Sequence, residues 1–295
     1  MSGTLISKIL AALLSIYYLL FGWLLPSVSD YDLEKNVRYG EAETAVMDVY
    51  LPESAADRAE NGCVIMIHGG SYSGGDKKEE MGRCHALARR GYVVATINYT
   101  LRTNEGGYSL DRVLDDVTAA ISALCGYAAE RGVTLTAAAV AGYSAGGHIA
   151  MLYAYTCAED SPLPIRFVGT MAGPAEYSGA IWGDDEAYRI TSRLTGVEIT
   201  TDMVENGEAD ALVASISPTS HVRDGGVPTV MAYGKKDTTV SIANAEALAA
   251  ALDEAEVEYT YIRFSRSGHD MMANPFKRLK YNRTLSRYCR EYFGY

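Results

Sequence analysis

The chain has 295 residues, which is long enough for one large domain or two small ones. Its 48% of hydrophobic and 21% of charged residues are typical of a globular protein and exclude a disordered one. The formal net charge is −11, and no basic stripe with interleaved aromatic residues is present, which argues against nucleic acid as a partner.

Residues 1–29 differ in composition from the rest. Ile9 to Leu25 is a run of 17 residues without a charge, with Lys8 just before it and an acidic flank after it. An apolar N-terminal run with a basic flank favours export or membrane anchoring over a buried core helix. A signal peptide cleaved after Ser29 and a retained anchor both fit the pattern. Both predict that the rest of the chain, the domain at 30–295, lies outside the cytoplasm.

Five cysteines are scattered along the chain without a C-x-x-C pair, so neither a zinc site nor a redox motif is indicated. Their odd number leaves at least one without an intrachain partner, and up to two disulfides remain open. His85, His148 and His221 have no second ligand at metal spacing and are interpreted as structural. The sequence therefore predicts no metal and no cofactor.

From residue 45 onward, apolar runs of strand length alternate with segments of helical periodicity. The predicted strands are 45–51, 63–67, 92–97, 135–141, 167–171, 228–233 and 257–264, and the predicted helices are 77–90, 109–130, 145–155, 242–255 and 275–293. This alternation predicts the α/β class, with a mostly parallel central sheet and helices on both faces. Chemistry in such sheets gathers at the carboxyl ends of the strands. Residues 173–226 interrupt the alternation and are interpreted as a small lid insertion over that edge.

Residues 142–146 (GYSAG) match G-x-S-x-G at the junction of a predicted strand and a predicted helix. The motif places a serine at the tip of a sharp turn, and small neighbours are needed because the backbone there is strained and crowded. The helix that follows directs its amide end toward negative charge developing near the serine. Ser144 is therefore the predicted nucleophile.

A second glycine-rich segment, His68 to Ser71, follows the predicted strand 63–67. Glycines there allow the backbone to fold beneath a substrate carbonyl and to present amides to it. Together with the nucleophile motif, this segment predicts an oxyanion hole formed by the amides of Gly70, Ser71 and Ala145. His68 is interpreted as a residue that organises the loop.

Two further polar residues follow later strands. Asp237 comes after the strand at 228–233, and His269 comes after the last strand. A serine hydroxyl needs a histidine to take its proton, and a buried carboxylate fixes the tautomer of that histidine. His269 is therefore the predicted base and Asp237 the predicted acid, with Asp270 and Glu176 as the alternatives for the acid.

Five segments together resemble the esterase/lipase branch of the α/β-hydrolase superfamily, in particular its acetyl-esterase and feruloyl-esterase-like group near the hormone-sensitive lipases. They are residues 47–52 (MDVYLP), 68–77 (HGGSYSGGDK), 142–148 (GYSAGGH), 217–222 (SPTSHV) and 234–240 (GKKDTTV). The resemblance covers about residues 36–293, and the chain order of serine, aspartate and histidine agrees with it. The sequence departs from the group at Ser71, Tyr72 and Thr100, where relatives often carry glycine, tryptophan and arginine.

The resemblance implies a serine carboxylic-ester hydrolase that acts on a small-molecule or carbohydrate ester. A serine peptidase of the prolyl-oligopeptidase type is the first alternative, although the chain offers no large gating domain. A catalytically inactive, hydrolase-like binding module is the second, although such modules usually lose a triad member. The insertion is acidic and lacks the long apolar helical face of a lipase lid, which predicts short acyl groups, acetyl to about butyryl.

Overall fold

A computed structural model of the chain describes residues 29–103 and 108–295. The predicted signal peptide or anchor, apart from Ser29, lies outside the described residues. Within those two ranges, no helix combines the length and the apolar character that a membrane span requires. The first described strand begins at Tyr31.

The described residues form one eight-stranded sheet. Its strands are β1 (Tyr31–Arg38), β2 (Val46–Pro52), β3 (Asn61–Ile67), β4 (Val93–Ile97), β5 (Leu135–Tyr143), β6 (Ile165–Met171), β7 (Thr229–Gly234) and β8 (Tyr259–Phe264). Their order across the sheet is β1-β2-β4-β3-β5-β6-β7-β8. β2 runs antiparallel to β1 and β4, and the other neighbouring strands are parallel. The predicted α/β class with a mostly parallel central sheet is therefore confirmed.

Helices cover both faces of the sheet. They are α1 (Met81–Ala88), α2 (Leu110–Ala129), α3 (Ala145–Thr156), α4 (Gly179–Trp182), α5 (Asp184–Thr195), α6 (Thr201–Glu205), α7 (Glu208–Ile216), α8 (Ala243–Glu254) and α9 (Pro275–Phe293). α2, α3 and α8 contribute to one hydrophobic core, and α1 and α9 contribute to the other.

Successive side chains of β3 enter the two cores in turn. Cys63 and Ile65 pack in the core under α2 and α3, whereas Val64 and Met66 pack in the core under α1 and α9. Every residue of the strand is buried because side chains on a strand alternate between two faces that are both covered. This is why the strand reads as a continuous apolar run in the sequence.

Two local predictions differ from the structure. The sequence pattern predicts no strand at Tyr31–Arg38, where β1 forms an edge of the sheet with most of its residues exposed. The predicted helix 77–90 begins as a 3-10 turn, Lys77–Glu80, which is capped by the side chain of Asp76 through a hydrogen bond from the amide of Lys78. All five cysteines are free.

The insertion at 173–226 consists of α4 to α7 and a 3-10 turn, Pro218–His221. In α5, Ala187, Thr191 and Leu194 are buried, at the spacing of one inward helical face. The acidic residues that begin this helix face solvent or lie half-buried. The apolar side of the insertion is therefore turned toward the protein.

A buried ion pair joins β2 to the turn that precedes α1. Lys77 Nζ lies 3.0 Å from Asp48 Oδ1, and both side chains are less than one-tenth exposed. We expect Lys77→Met to lower the free energy of unfolding by about 3–5 kcal/mol, because Asp48 would remain as an unpaired buried carboxylate. Urea unfolding at neutral pH measures this difference.

Arg189→Met is the matched control. Its partner is Glu186, and both side chains of this pair are exposed, so we expect almost no change in the free energy of unfolding. Equal losses in the two variants would contradict the assignment of the energy to burial.

Candidate active site

Ser144 lies in the turn between β5 and α3. Its φ of 53° and ψ of −122° are outside the regions that non-glycine residues favour. A side chain at Gly142 would overlap the backbone of Gly146, and a side chain at Gly146 would overlap the carbonyl of Ile67. Both glycines of the motif are therefore required by close backbone contacts.

The structure brings together the predicted nucleophile, base and acid. Ser144 Oγ lies 2.9 Å from His269 Nε2, and His269 Nδ1 lies 2.7 Å from Asp237 Oδ2. Because a carboxylate only accepts hydrogen bonds, Nδ1 donates and Nε2 keeps the lone pair that faces the serine hydroxyl. The arrangement can remove a proton from Ser144 and stabilise the charge that His269 then acquires.

The carboxylate of Asp237 is held in place by two backbone amides. Its Oδ1 accepts hydrogen bonds from Thr239 at 2.8 Å and from Val240 at 2.9 Å. Its side chain is fully buried, whereas the side chain of His269 is 23% exposed. The acid is thus fixed inside the protein while the base can reach a substrate.

The two alternative acids point elsewhere. Asp270 is exposed, and its Oδ1 accepts a hydrogen bond from the amide of Met272 at 3.0 Å. Glu176 accepts hydrogen bonds from the amide of Ser178 and the hydroxyl of Thr219, both within the insertion. Of the three candidate acids, Asp237 is the one whose carboxylate contacts His269.

The loop after β3 lies against the nucleophile turn. A Cβ on Gly69 would lie 3.2 Å from the Cβ of Ser144. Gly70, Ser71 and Tyr72 all have positive φ, at 119°, 53° and 63°. The amide of Ala145, the first residue of α3, has no carbonyl partner within its helix. The elements that carry the predicted oxyanion donors therefore meet at Ser144.

Tyr143 occupies the unspecified position before the serine in G-x-S-x-G and contacts the loop that carries His269. Its hydroxyl donates a hydrogen bond to the carbonyl of His269 at 2.8 Å. Burial raises the pKa of Tyr143 to about 12, so the hydroxyl keeps its proton at neutral pH. Sequence reasoning missed this contact, because nothing in the motif specifies what its second position touches.

The other four histidines have partners outside the group formed by Ser144, His269 and Asp237. His68 is buried, its ring stacks on Tyr99 with a centroid distance of 4.5 Å, and burial lowers its pKa. Rings of the other histidines contact tyrosine hydroxyls or carbonyls: His85, His148 and His221. Within residues 29–103 and 108–295, no group of three or more metal-ligating side chains is arranged to hold an ion.

Comparison with known proteins identifies a family and a shared fold. The BD-FAE family model matches residues 47–252. A truncated carbohydrate esterase from gut microbiota is 17% identical, with a TM-score of 0.72 over 90% of this chain and 98% of that chain.

Two further esterases have similar structures. Esterase B from Lactobacillus rhamnosis is 22% identical, with a TM-score of 0.67 over 98% of this chain and 96% of that chain. The esterase Est2 from Thermogutta terrifontis is 19% identical, with a TM-score of 0.66 over 90% and 92% of the two chains. No curated protein matches the chain in sequence. At these identities the solved structures show a shared α/β-hydrolase fold.

The crowding at Gly146 generates a prediction for the reactivity of Ser144. We expect Gly146→Ala to slow the labelling of Ser144 by a fluorophosphonate about 10²-fold or more, because the methyl group must displace the backbone that carries the site. Time-resolved labelling followed by peptide mass analysis measures the rate.

Gly82→Ala in α1 is the control, because a Cβ there meets nothing within 4 Å. We expect parental labelling from this variant. Parental labelling of Gly146→Ala would show that the turn tolerates a side chain.

Proposed function

Because the chain belongs to the BD-FAE family, in the esterase branch of the α/β-hydrolases, we propose that it is a serine carboxylic-ester hydrolase with Ser144 as nucleophile. His269 acts as general base and then as general acid, and Asp237 orients it. The observation that carries the proposal is the continuous hydrogen-bonded series from Ser144 through His269 to Asp237 at the strained turn after β5.

The proposed reaction has two halves. Ser144 Oγ attacks the ester carbonyl while its proton passes to His269 Nε2, and the amides of Gly70, Ser71 and Ala145 stabilise the oxyanion. The intermediate collapses, and the departing alcohol takes the proton from His269. A water molecule then attacks the acyl-enzyme with His269 as base, which releases the carboxylic acid and restores the serine.

The insertion supports a preference for short acyl groups. Leu194 is buried, and Ile181, Trp182 and Ile190 are half-buried. Its exposed large apolar side chains are Val197 and Val204, which do not form the continuous face that a lid needs at an oil surface.

The charge of the insertion bears on the alcohol half of the substrate. Most of its acidic residues are exposed, among them Asp184, Asp202, Glu208 and Asp210. Such a surface disfavours anionic substrates. The carbohydrate esterase with a similar structure adds support for a neutral alcohol such as a sugar. We therefore propose acetyl to about butyryl esters of neutral alcohols as the substrate class.

The roles of the three central residues predict distinct variants. We expect Ser144→Ala to lower kcat for acetyl nitrophenyl ester by roughly 10⁴-fold or more. Asp237→Asn should lower kcat by a similar factor with KM nearly unchanged, because the amide favours the wrong tautomer of His269. Steady-state kinetics on folded, purified variants measure both values.

Ser215→Ala is the control, since this exposed hydroxyl contacts the carbonyl of Leu212 within α7. Retention of a few per cent of activity by pure Ser144→Ala would overturn the nucleophile. Parental kinetics from Asp237→Asn would direct the search for the acid to Asp270 and Glu176.

The substrate class predicts the dependence of rate on acyl length. We expect kcat/KM to be highest between acetyl and about butyryl. It should show no increase when longer esters pass their solubility limit, because the insertion has no continuous apolar face to expose at an oil surface. A series of nitrophenyl esters measured below and above that limit tests this. An optimum at long chains, or a jump in rate at the emulsion boundary, would contradict the interpretation of the insertion.

A further inference from the structure

A buried series of hydrogen bonds lies behind the loop 68–72, which carries the proposed donors Gly70 and Ser71 and is called the oxyanion loop below. The hydroxyls of Tyr177 and Tyr72 are 2.6 Å apart, and the Tyr72 hydroxyl is 2.9 Å from His148 Nδ1. His148 Nε2 lies 2.8 Å from the carbonyl oxygen of Ile216. The three side chains are at most 8% exposed, so they satisfy one another's polar atoms away from solvent.

The direction of each hydrogen bond follows from its acceptor. The carbonyl of Ile216 only accepts, so His148 Nε2 donates to it. Burial lowers the pKa of His148 to about 4, so the ring is neutral near pH 7 and Nδ1 is an acceptor. Tyr72 therefore donates to His148, and its oxygen accepts from Tyr177. Burial also raises the pKa of both tyrosines, so both keep the protons that this pattern needs.

The series joins three segments that are distant in sequence. Tyr72 follows Ser71 in the oxyanion loop, and His148 lies one turn after the nucleophile in α3. Tyr177 lies near the start of the insertion and Ile216 at the end of α7. The insertion is thus bonded directly to the loop that presents an oxyanion amide.

The backbone of Ser71 and Tyr72 is strained, and the hydrogen bonds of the Tyr72 side chain help to hold it in that conformation. Ser71 and Tyr72 have φ values of 53° and 63°, a region in which the backbone of a non-glycine residue is strained. Such a conformation persists when surrounding contacts determine it. The carbonyl of Tyr72 accepts a hydrogen bond from the amide of Arg102 at 2.7 Å, and its side chain is held by Tyr177 and His148.

The insertion end of the series is itself well fixed. The amide of Tyr177 donates to Ser217 Oγ at 3.0 Å, and that hydroxyl donates to the carbonyl of Val213. The ring of Tyr177 stacks on Trp182, with centroids 5.7 Å apart and planes 13° apart. These contacts fix Tyr177, which can therefore hold Tyr72 in one orientation.

We propose that Tyr72, His148 and Tyr177 are positioning residues that hold the amide of Ser71 in its oxyanion-binding orientation and make that orientation depend on the insertion. The inference rests on the proposed esterase function. It assigns to the insertion a role in transition-state stabilisation in addition to covering the site. Loss of the series should lower the rate of the chemical step and leave ground-state binding of the ester unchanged.

Tyr177→Phe and Tyr72→Phe test the inference. Tyr177→Phe removes one hydrogen bond to Tyr72, whereas Tyr72→Phe removes the hydrogen bonds to both neighbours. We expect kcat for an acetyl ester to fall by about 10-fold in Tyr177→Phe and by up to about 10²-fold in Tyr72→Phe. These decreases do not exceed the decrease in kcat that removal of one oxyanion donor causes. KM should change by less than about 2-fold, because the substrate carbonyl is neutral before attack.

A trifluoromethyl ketone provides the second readout. Its carbonyl carbon bonds to Ser144 Oγ, the serine proton passes to His269, and the former carbonyl oxygen becomes an oxyanion held by the amides. We expect its inhibition constant to rise across the variants by the same factor by which kcat/KM falls. A merely structural role would not link these two quantities.

Tyr155→Phe is the matched control. Tyr155 lies in α3 as His148 does, and its hydroxyl contacts Thr229 Oγ1 at 2.7 Å, at the start of β7 and away from the nucleophile end of the helix. We expect parental kcat and parental inhibition from this variant. If Tyr72→Phe does not fold, Tyr177→Phe decides the question.

Unchanged kcat in the two site variants, or a fall in kcat without weaker inhibition, would overturn the inference while the parent remains an active esterase. A parent that neither hydrolyses esters nor reacts with the ketone would overturn the proposed function and this inference with it.

Discussion

The first turn of α3 lies so close to the ends of β3 and β5 that two positions accept glycine alone. A side chain at Gly142 would meet the backbone of Gly146, and a side chain at Gly146 would meet the carbonyls of Ile67 and His68. This contact places Ser144 at the carboxyl edge of the sheet and presses the loop after β3 against it. The acid and the base come from β7 and β8, which lie farther along the same edge. The position of Ser144 relative to the loop after β3 therefore depends on how closely these backbones approach.

Tyrosine hydroxyls connect the loops around that contact. The chain has 22 tyrosines and five phenylalanines, and a buried tyrosine needs a hydrogen-bond partner for its hydroxyl. Tyr143 donates to the carbonyl of His269, Tyr99 to the carbonyl of His68, and Tyr233 to the carbonyl of Gly173. Each bond fixes one loop relative to another element, which apolar contact alone does with less directional precision. The site is thus built from loops whose mutual positions are set by a few directed bonds.

The parallel strands and the polar residues that follow them could be predicted because each leaves a local signal. A strand covered on both faces is a continuous apolar run, and its end is marked where that run stops. β1 leaves no such signal, since Leu33 and Val37 are its only aliphatic residues and it lies at an exposed edge of the sheet. The 3-10 turn before α1 also escaped prediction, because a 3-10 turn and an α-helical turn share the same composition.

Contacts between distant side chains that no catalytic motif marks could not be predicted from one sequence. Tyr72 is 76 positions from His148 and 105 from Tyr177, and a tyrosine in an apolar context is indistinguishable from an ordinary core residue. The departure from tryptophan at position 72 was visible, but its reason requires the structure. An indole has one donor and no acceptor, so it cannot donate to His148 and accept from Tyr177 at once.

The bond between Tyr72 and Tyr177 also limits how the insertion can vary. A segment that only covered a substrate could change its length and composition freely, as surface loops usually do. This insertion carries Tyr177 and the carbonyl of Ile216, and both take part in the bonds that end at the oxyanion loop. In the proposed mechanism, changes that reshape the cover for another acyl group must keep these two positions, because the same segment covers the site and is hydrogen-bonded to the loop that carries the proposed oxyanion donors. If the proposed role of these residues holds, one short series of hydrogen bonds couples substrate preference to rate.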